Sequence, residues 1–284
     1  MNPIAQSRAS AILFGIGDFQ WTEEVDCAFW FGMSLARPLA LLFLILASSA
    51  RAAGVPNDCE QLIVALAPSW NSPRAELQRF ARNGTGPWEK VGAAFPVLLG
   101  KNGLAWGRGL IGQEEPGLHK HEHDARAPAG IFRLGKIYTY DAALPAGADY
   151  PFHQVTSADA WIDDSTRPDY NRFVTIDDPA HPPPWFAKER MRPNDFAYRW
   201  LVEIRHNSEP PMPNDGSAIF FHIRRGVARP TAGCTSMAES DLVRMITWLR
   251  AGRHPCYVLL PRAVYLAKAA TWNLPSAELL FSAP

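Results

Sequence analysis

His222 and Cys234 are the two side chains in this 284-residue chain best suited to act together chemically. Imidazole accepts a proton near neutral pH, and a thiol becomes a strong nucleophile once its proton is removed. The small residues around the sulfur, Thr231-Ala-Gly-Cys-Thr-Ser236, suit a carbonyl substrate. Gly233 allows close backbone approach, and the amide of Cys234 can face a developing oxyanion. The expected chemistry is acyl transfer through a thioester, with His222 as base. The plain alternative is a small buried cysteine and a satisfied core histidine.

Two elements must hold this pair. Ser217-Ala-Ile-Phe-Phe-His222 is apolar, aromatic and β-branched, and predicts a buried strand ending at His222. Met237 to Leu249 predicts a helix, with Leu242, Met245, Ile246 and Leu249 on one face. Ser236 and Glu239 form a capping-box pattern at its start. Cys234 is therefore expected just ahead of a helix N-terminus, where the dipole lowers a thiol's pKa.

The segment resembles the catalytic stretch of the YkuD-type L,D-transpeptidases, a strand ending in His, a loop, then Ser/Thr-His-Gly-Cys. Thr231, Gly233, Cys234 and the upstream His222 match, while Ala232 stands where the family has its second His. Upstream, His123-Asp-Ala-Arg-Ala-Pro-Ala-Gly-Ile-Phe132 is similar to the family's Gly-Asp-x-x-Thr-Pro-x-Gly-x-Phe, departing at His123 and Ala127. The resemblance implies transfer from a peptidoglycan stem tetrapeptide, cut before its terminal D-Ala, to the side-chain amine of another stem. It implies no cofactor and no metal, and susceptibility to carbapenems. It assigns catalysis to Cys234 and His222, with the second ring nitrogen of His222 on a nearby backbone carbonyl, expected at Ile223. Oxyanion or substrate binding is expected at Gly233, and the role of the missing second His is filled by Thr231, Thr235 or Ser236, or is lost. Hydrolysis of the same thioester (an L,D-carboxypeptidase) and a non-catalytic wall-binding module are the alternatives; sortase-like and NlpC/P60-like arrangements fit worse.

Export is expected from Leu39-Ala-Leu-Leu-Phe-Leu-Ile-Leu-Ala47, an apolar run after Arg37 and before Ser48-Ser-Ala-Arg-Ala-Ala53. The acidic stretch upstream suggests Met33 as the true start, with residues 1–53 an extension plus signal peptide and 54–284 the catalytic domain. A periplasmic or envelope protein follows, monomeric, with at most loose wall or membrane-surface association. Basic and acidic residues number 28 each, and this balance argues against nucleic acid as a partner. Beyond Cys27, three cysteines remain, Cys59, Cys234 and Cys256. In an oxidising compartment either Cys59 and Cys256 pair, leaving Cys234 free, or both stay reduced and apart.

Short strands separated by Asn, Gly and Pro clusters recur from Gln61 onward, predicting a mainly β chain with few helices; the spacing suggests a β-sandwich or barrel, and a single β-sandwich-like domain is expected. Helices are expected after Cys234, over Ile131 to Tyr140 and over Arg262 to Trp272. His119-Lys-His-Glu-His123 could chelate a metal if extended, but reads as a solvated loop. Ala180-His-Pro-Pro-Pro-Trp185 reads as a polyproline turn. Trp161 to Arg172 mixes aromatic, acid and amide groups, either a peptide- or sugar-binding surface or an ordinary loop.

Overall fold

The apolar run Gln61–Ala67 forms the first strand, β1, and lies between two partners that bury almost all of it. A computed structural model describes residues 54–191 and 195–281; the expected extension, signal peptide and Met33 start lie outside them. The strands that follow are β2 (Arg74–Ala81), β3 (Glu89–Leu98), β4 (Leu104–Trp106), β5 (Ala127–Thr139), β6 (Phe152–Gln154), β7 (Asp159–Trp161) and β8 (Phe173–Thr175). After a one-turn helix α1 (Phe186–Glu189) come β9 (Trp200–Ile204), β10 (Phe220–Ile223), β11 (Thr235–Met237), α2 (Glu239–Trp248), β12 (Cys256–Pro261), α3 (Arg262–Lys268) and α4 (Ala277–Phe281).

The ten-stranded sheet runs β12-β1-β2-β3-β11-β10-β9-β5-β4, with β6 beside β5. Pairing of β12 with β5 closes it on itself. The result is a closed, barrel-like sheet and not clearly a sandwich, of the two forms that strand spacing allowed; strand number and alternation are the same in both, and the β12–β5 contact separates them. Phe80, Phe132, Phe221 and Tyr257 fill the interior, all under 2 % exposed.

The expected helix over Ile131 to Tyr140 is instead most of β5. Its residues pair in turn with β12 (Gly130 to Arg133) and with β9 and β6 (Ile137 to Thr139). Backbone groups that would close helical turns are taken by three neighbouring strands, and tertiary pairing overrides the local pattern. Gly130 explains one motif glycine: at φ 138°, a Cβ there would lie 2.2 Å from the Ile111 carbonyl oxygen.

Cys59 and Cys256 are free thiols, both fully buried. They are nonetheless neighbours, because β1 runs parallel to β12 with Leu62 opposite Cys256; the Cys59 thiol donates to the Gln61 carbonyl at 3.3 Å and the Cys256 thiol to the His254 carbonyl at 3.8 Å. Neither sequence alternative anticipated two reduced cysteines side by side. Among the described residues no helix is long and apolar enough to cross a membrane.

Candidate active site

Strands β10 and β11 are parallel neighbours, with Phe221 opposite Thr235 and His222 opposite Ser236. Side chains alternate across a strand. One face of this pair therefore sends Phe221 and Thr235 into the barrel, where the Thr235 hydroxyl meets the Tyr257 hydroxyl at 2.9 Å. The other face sends His222 and Ser236 to a cavity of about 390 Å³, lined also by Lys120, Tyr198, Ala218, Arg225, Gly233 and Cys234. A larger groove of about 840 Å³ beside β2 and β3 is lined by no histidine or cysteine, so the smaller cavity is the candidate site.

Of the residues singled out in the sequence, the fold brings His222, Cys234, Gly233, Thr231 and Ser236 to one cavity and turns Thr235 away from it. Thr231 is there with its hydroxyl engaged. It donates to the Cys234 carbonyl at 2.6 Å and accepts from the Gly233 N–H at 3.1 Å, so it shapes the loop that carries the sulfur. A Cβ at Gly233 would lie 3.0 Å from the Arg126 carbonyl oxygen and 3.2 Å from Ile219 Cδ1, which explains a glycine next to the thiol. The Ser236 hydroxyl is buried with no hydrogen-bond partner among the described residues.

The helix start differs from expectation. Ser236 and Met237 belong to β11, and α2 begins at Glu239 behind Ala238, which makes no side-chain cap. Backbone pairing with β10 and with Leu98 of β3 draws Ser236 into the sheet, so its hydroxyl never caps the helix. A strand thus separates Cys234 from the helix, and the dipole argument for a lowered thiol pKa fails. Packing around the sulfur pushes the Cys234 thiol up to about 11, opposed by the Phe220 backbone N–H and by the Lys120 and Arg225 charges.

His222 is 6 % exposed. Its Nδ1 lies 2.8 Å from the Ile223 carbonyl oxygen, which can only accept, so Nδ1 carries the proton and Nε2 is the basic nitrogen. Burial lowers its pKa to about 4, with the Ile223 bond acting the other way. The resting pair is therefore neutral imidazole and neutral thiol. No hydrogen bond joins the two among the described residues; the thiol donates instead to the Ala218 carbonyl at 3.4 Å.

Several lining residues carry no sequence signal of their own. Tyr198 stands edge-on to His222 with centroids 5.7 Å apart. Arg225 lies over the Tyr198 ring at 4.9 Å and pairs with Asp195. Lys120, 4 % exposed, pairs with Asp124 at 2.6 Å, inside the stretch read as a solvated histidine loop. Glu122 of that stretch accepts from the Tyr170 hydroxyl. Among the described residues no three His, Cys, Asp or Glu side chains are grouped to hold a metal.

Compared with known families, the chain matches the model described as YkuD, L,D-transpeptidase catalytic domain, over residues 71–258. No curated protein and no solved structure matches it.

Proposed function

Because the chain belongs to the YkuD family of L,D-transpeptidase catalytic domains, we propose that it transfers acyl groups between peptidoglycan stem peptides, with Cys234 as nucleophile and His222 as general base. The observation that carries this reading is His222 with Nδ1 committed to the Ile223 carbonyl and Nε2 left basic, in the same cavity as Cys234.

With a raised thiol and a lowered imidazole, proton transfer in the empty cavity is uphill. The proton leaves sulfur for Nε2 as the carbon–sulfur bond forms at the donor carbonyl. Backbone amides around Gly233 and Cys234 are the candidate donors to the oxyanion. The tetrahedral adduct expels the terminal D-Ala amine, which takes the proton from the imidazolium, and a thioester remains. An acceptor amine then attacks the thioester, His222 takes its proton, and the thiol is regenerated.

Lys120 and Arg225 favour the thiolate-like sulfur of both transition states, since each acts against the burial that raises the thiol. The protein is proposed to act on stem peptides in the cell envelope, as a monomer. Ser236 and Gly233 are proposed to contact substrate; Thr231 contributes through the loop it ties. Ala232 supplies no side-chain donor, which shifts that task to the backbone and to Ser236.

The test is incubation of the full chain with purified stem tetrapeptides and mass analysis of the products. Crosslinked dimer with loss of D-Ala is expected. Tripeptide alone would assign hydrolysis, and binding without either product would leave a wall-binding module.

A further inference from the structure

Asn171 sits in the turn of the β7–β8 hairpin, 5 % exposed and at φ 53°. Each hydrogen-bonding position of its side chain is filled. Oδ1 accepts from Trp161 Nε1 and from the Ala218 N–H, both at 3.0 Å. Nδ2 donates to the His206 carbonyl at 2.9 Å and to the Asn207 carbonyl at 2.7 Å. A buried amide with two acceptor and two donor bonds is fixed in one orientation.

Ala218 is the residue that makes this relevant to catalysis. It lies at φ 53°, a left-handed conformation that costs an alanine on the order of 1 kcal/mol and persists only when its surroundings impose it. Its N–H is held by Asn171, and its carbonyl is the acceptor of the Cys234 thiol. The chain of bonds from hairpin to sulfur passes through one peptide-linked residue.

We propose that Asn171 is a positioning residue for Cys234: by holding Ala218 in its left-handed conformation it sets the carbonyl on which the thiol rests, and so the place from which sulfur meets substrate. The β7–β8 hairpin thereby becomes part of the catalytic apparatus and not a peripheral insertion. This inference rests on Cys234 being the nucleophile, but its first readout uses no substrate.

The experiment uses full-length Asn171→Ala and Trp161→Phe, the second removing one bond to Asn171 while keeping the ring. The iodoacetamide rate at Cys234 is read by peptide mass mapping across pH. A carbonyl acceptor favours the neutral thiol, so loosening it moves the profile to lower pH. Lys120, Tyr198, His222 and Arg225 beside the thiol, and Glu122, His123, Asp163 and Arg229 on the rest of the cavity lining, are unchanged in both variants. For stem-peptide transfer, kcat is expected to fall roughly tenfold to a hundredfold in Asn171→Ala with KM nearly constant, the result of a misplaced reacting atom. Trp161→Phe is expected to move both readouts in the same direction by less, and it decides the matter if Asn171→Ala does not fold. Profiles that superimpose on wild type, or a rise in KM alone, overturn the proposal. Transfer surviving in Cys234→Ala would instead overturn the assigned nucleophile, leaving the alkylation result to stand by itself.

Discussion

Ser236 faces His222 directly across two parallel strands, and its hydroxyl is buried without a hydrogen-bond partner among the described residues. A buried unpaired hydroxyl destabilises the fold. Its place in the cavity lining gives the group a use only when something else is bound there.

Ser236→Ala is therefore expected to hold or raise the unfolding temperature while lowering kcat/KM for transfer by about tenfold, the equivalent of one hydrogen bond. Calorimetry and steady-state kinetics on the same preparation check both halves. A lower unfolding temperature with unchanged kinetics would assign the hydroxyl to the fold.

The free protein should alkylate slowly at Cys234 below neutral pH, with the rate climbing as the medium approaches the thiol's raised pKa of about 11. His222→Ala should leave that profile nearly in place, because a neutral imidazole contributes no charge to it, while acyl transfer is lost. This reverses the low-pKa thiol expected from a helix end. Fast alkylation at acidic pH that collapses in His222→Ala would show a preformed thiolate–imidazolium pair instead.

Stability should fall in acid through two buried histidines. His206 accepts the Arg108 N–H at Nδ1 and lies 2.9 Å from the Asp215 carbonyl oxygen at Nε2, so Nε2 carries its proton and Nδ1 has no room for one. Burial lowers the pKa of His206 to about 3, and that of His222 to about 4. Both folded values lie below the ordinary 6.5, so the unfolded chain binds more protons between the two. The stability is present above the unfolded pKa and is lost as pH falls toward the folded one, by up to about 1.4 kcal/mol per pH unit for each group. Denaturant melts from neutral pH down to about pH 4 measure the slope, and His206→Gln should lower stability overall while flattening it. An unchanged slope would remove His206 from the account.

Cys234→Ala should abolish transfer and keep the fold. Cys59→Ala and Cys256→Ala, both changes at fully buried sites, should keep transfer and cost about 1 kcal/mol of stability each. A carbapenem should add to wild type and to the latter two but not to Cys234→Ala. Intact mass measurement reads this directly, and an adduct on Cys234→Ala would reject Cys234 as the reactive thiol.

The sequence by itself determined the order of the candidate residues, a strand carrying His222 and then Gly233 and Cys234, while the Ile223 carbonyl on the imidazole was expected from the family resemblance and is found there. It also determined a mainly β chain, because apolar runs such as Gln61–Ala67 and Cys256–Pro261 have the length and bulk of buried strands. These features are local, and local patterns are legible. Whether the sheet opens into a sandwich or closes through β12 and β5 was decided by a pairing between distant segments. So was the fate of Ile131 to Tyr140, and of Ser236, whose capping pattern lost to sheet pairing with β10 and β3. Thr235 and Ser236 were equal candidates in sequence; the two faces of one strand sent the first to Tyr257 and the second to the cavity. The link from Asn171 through Ala218 to Cys234 joins three separate stretches, and its hydrogen bonds exist only where tertiary packing has already brought those stretches together.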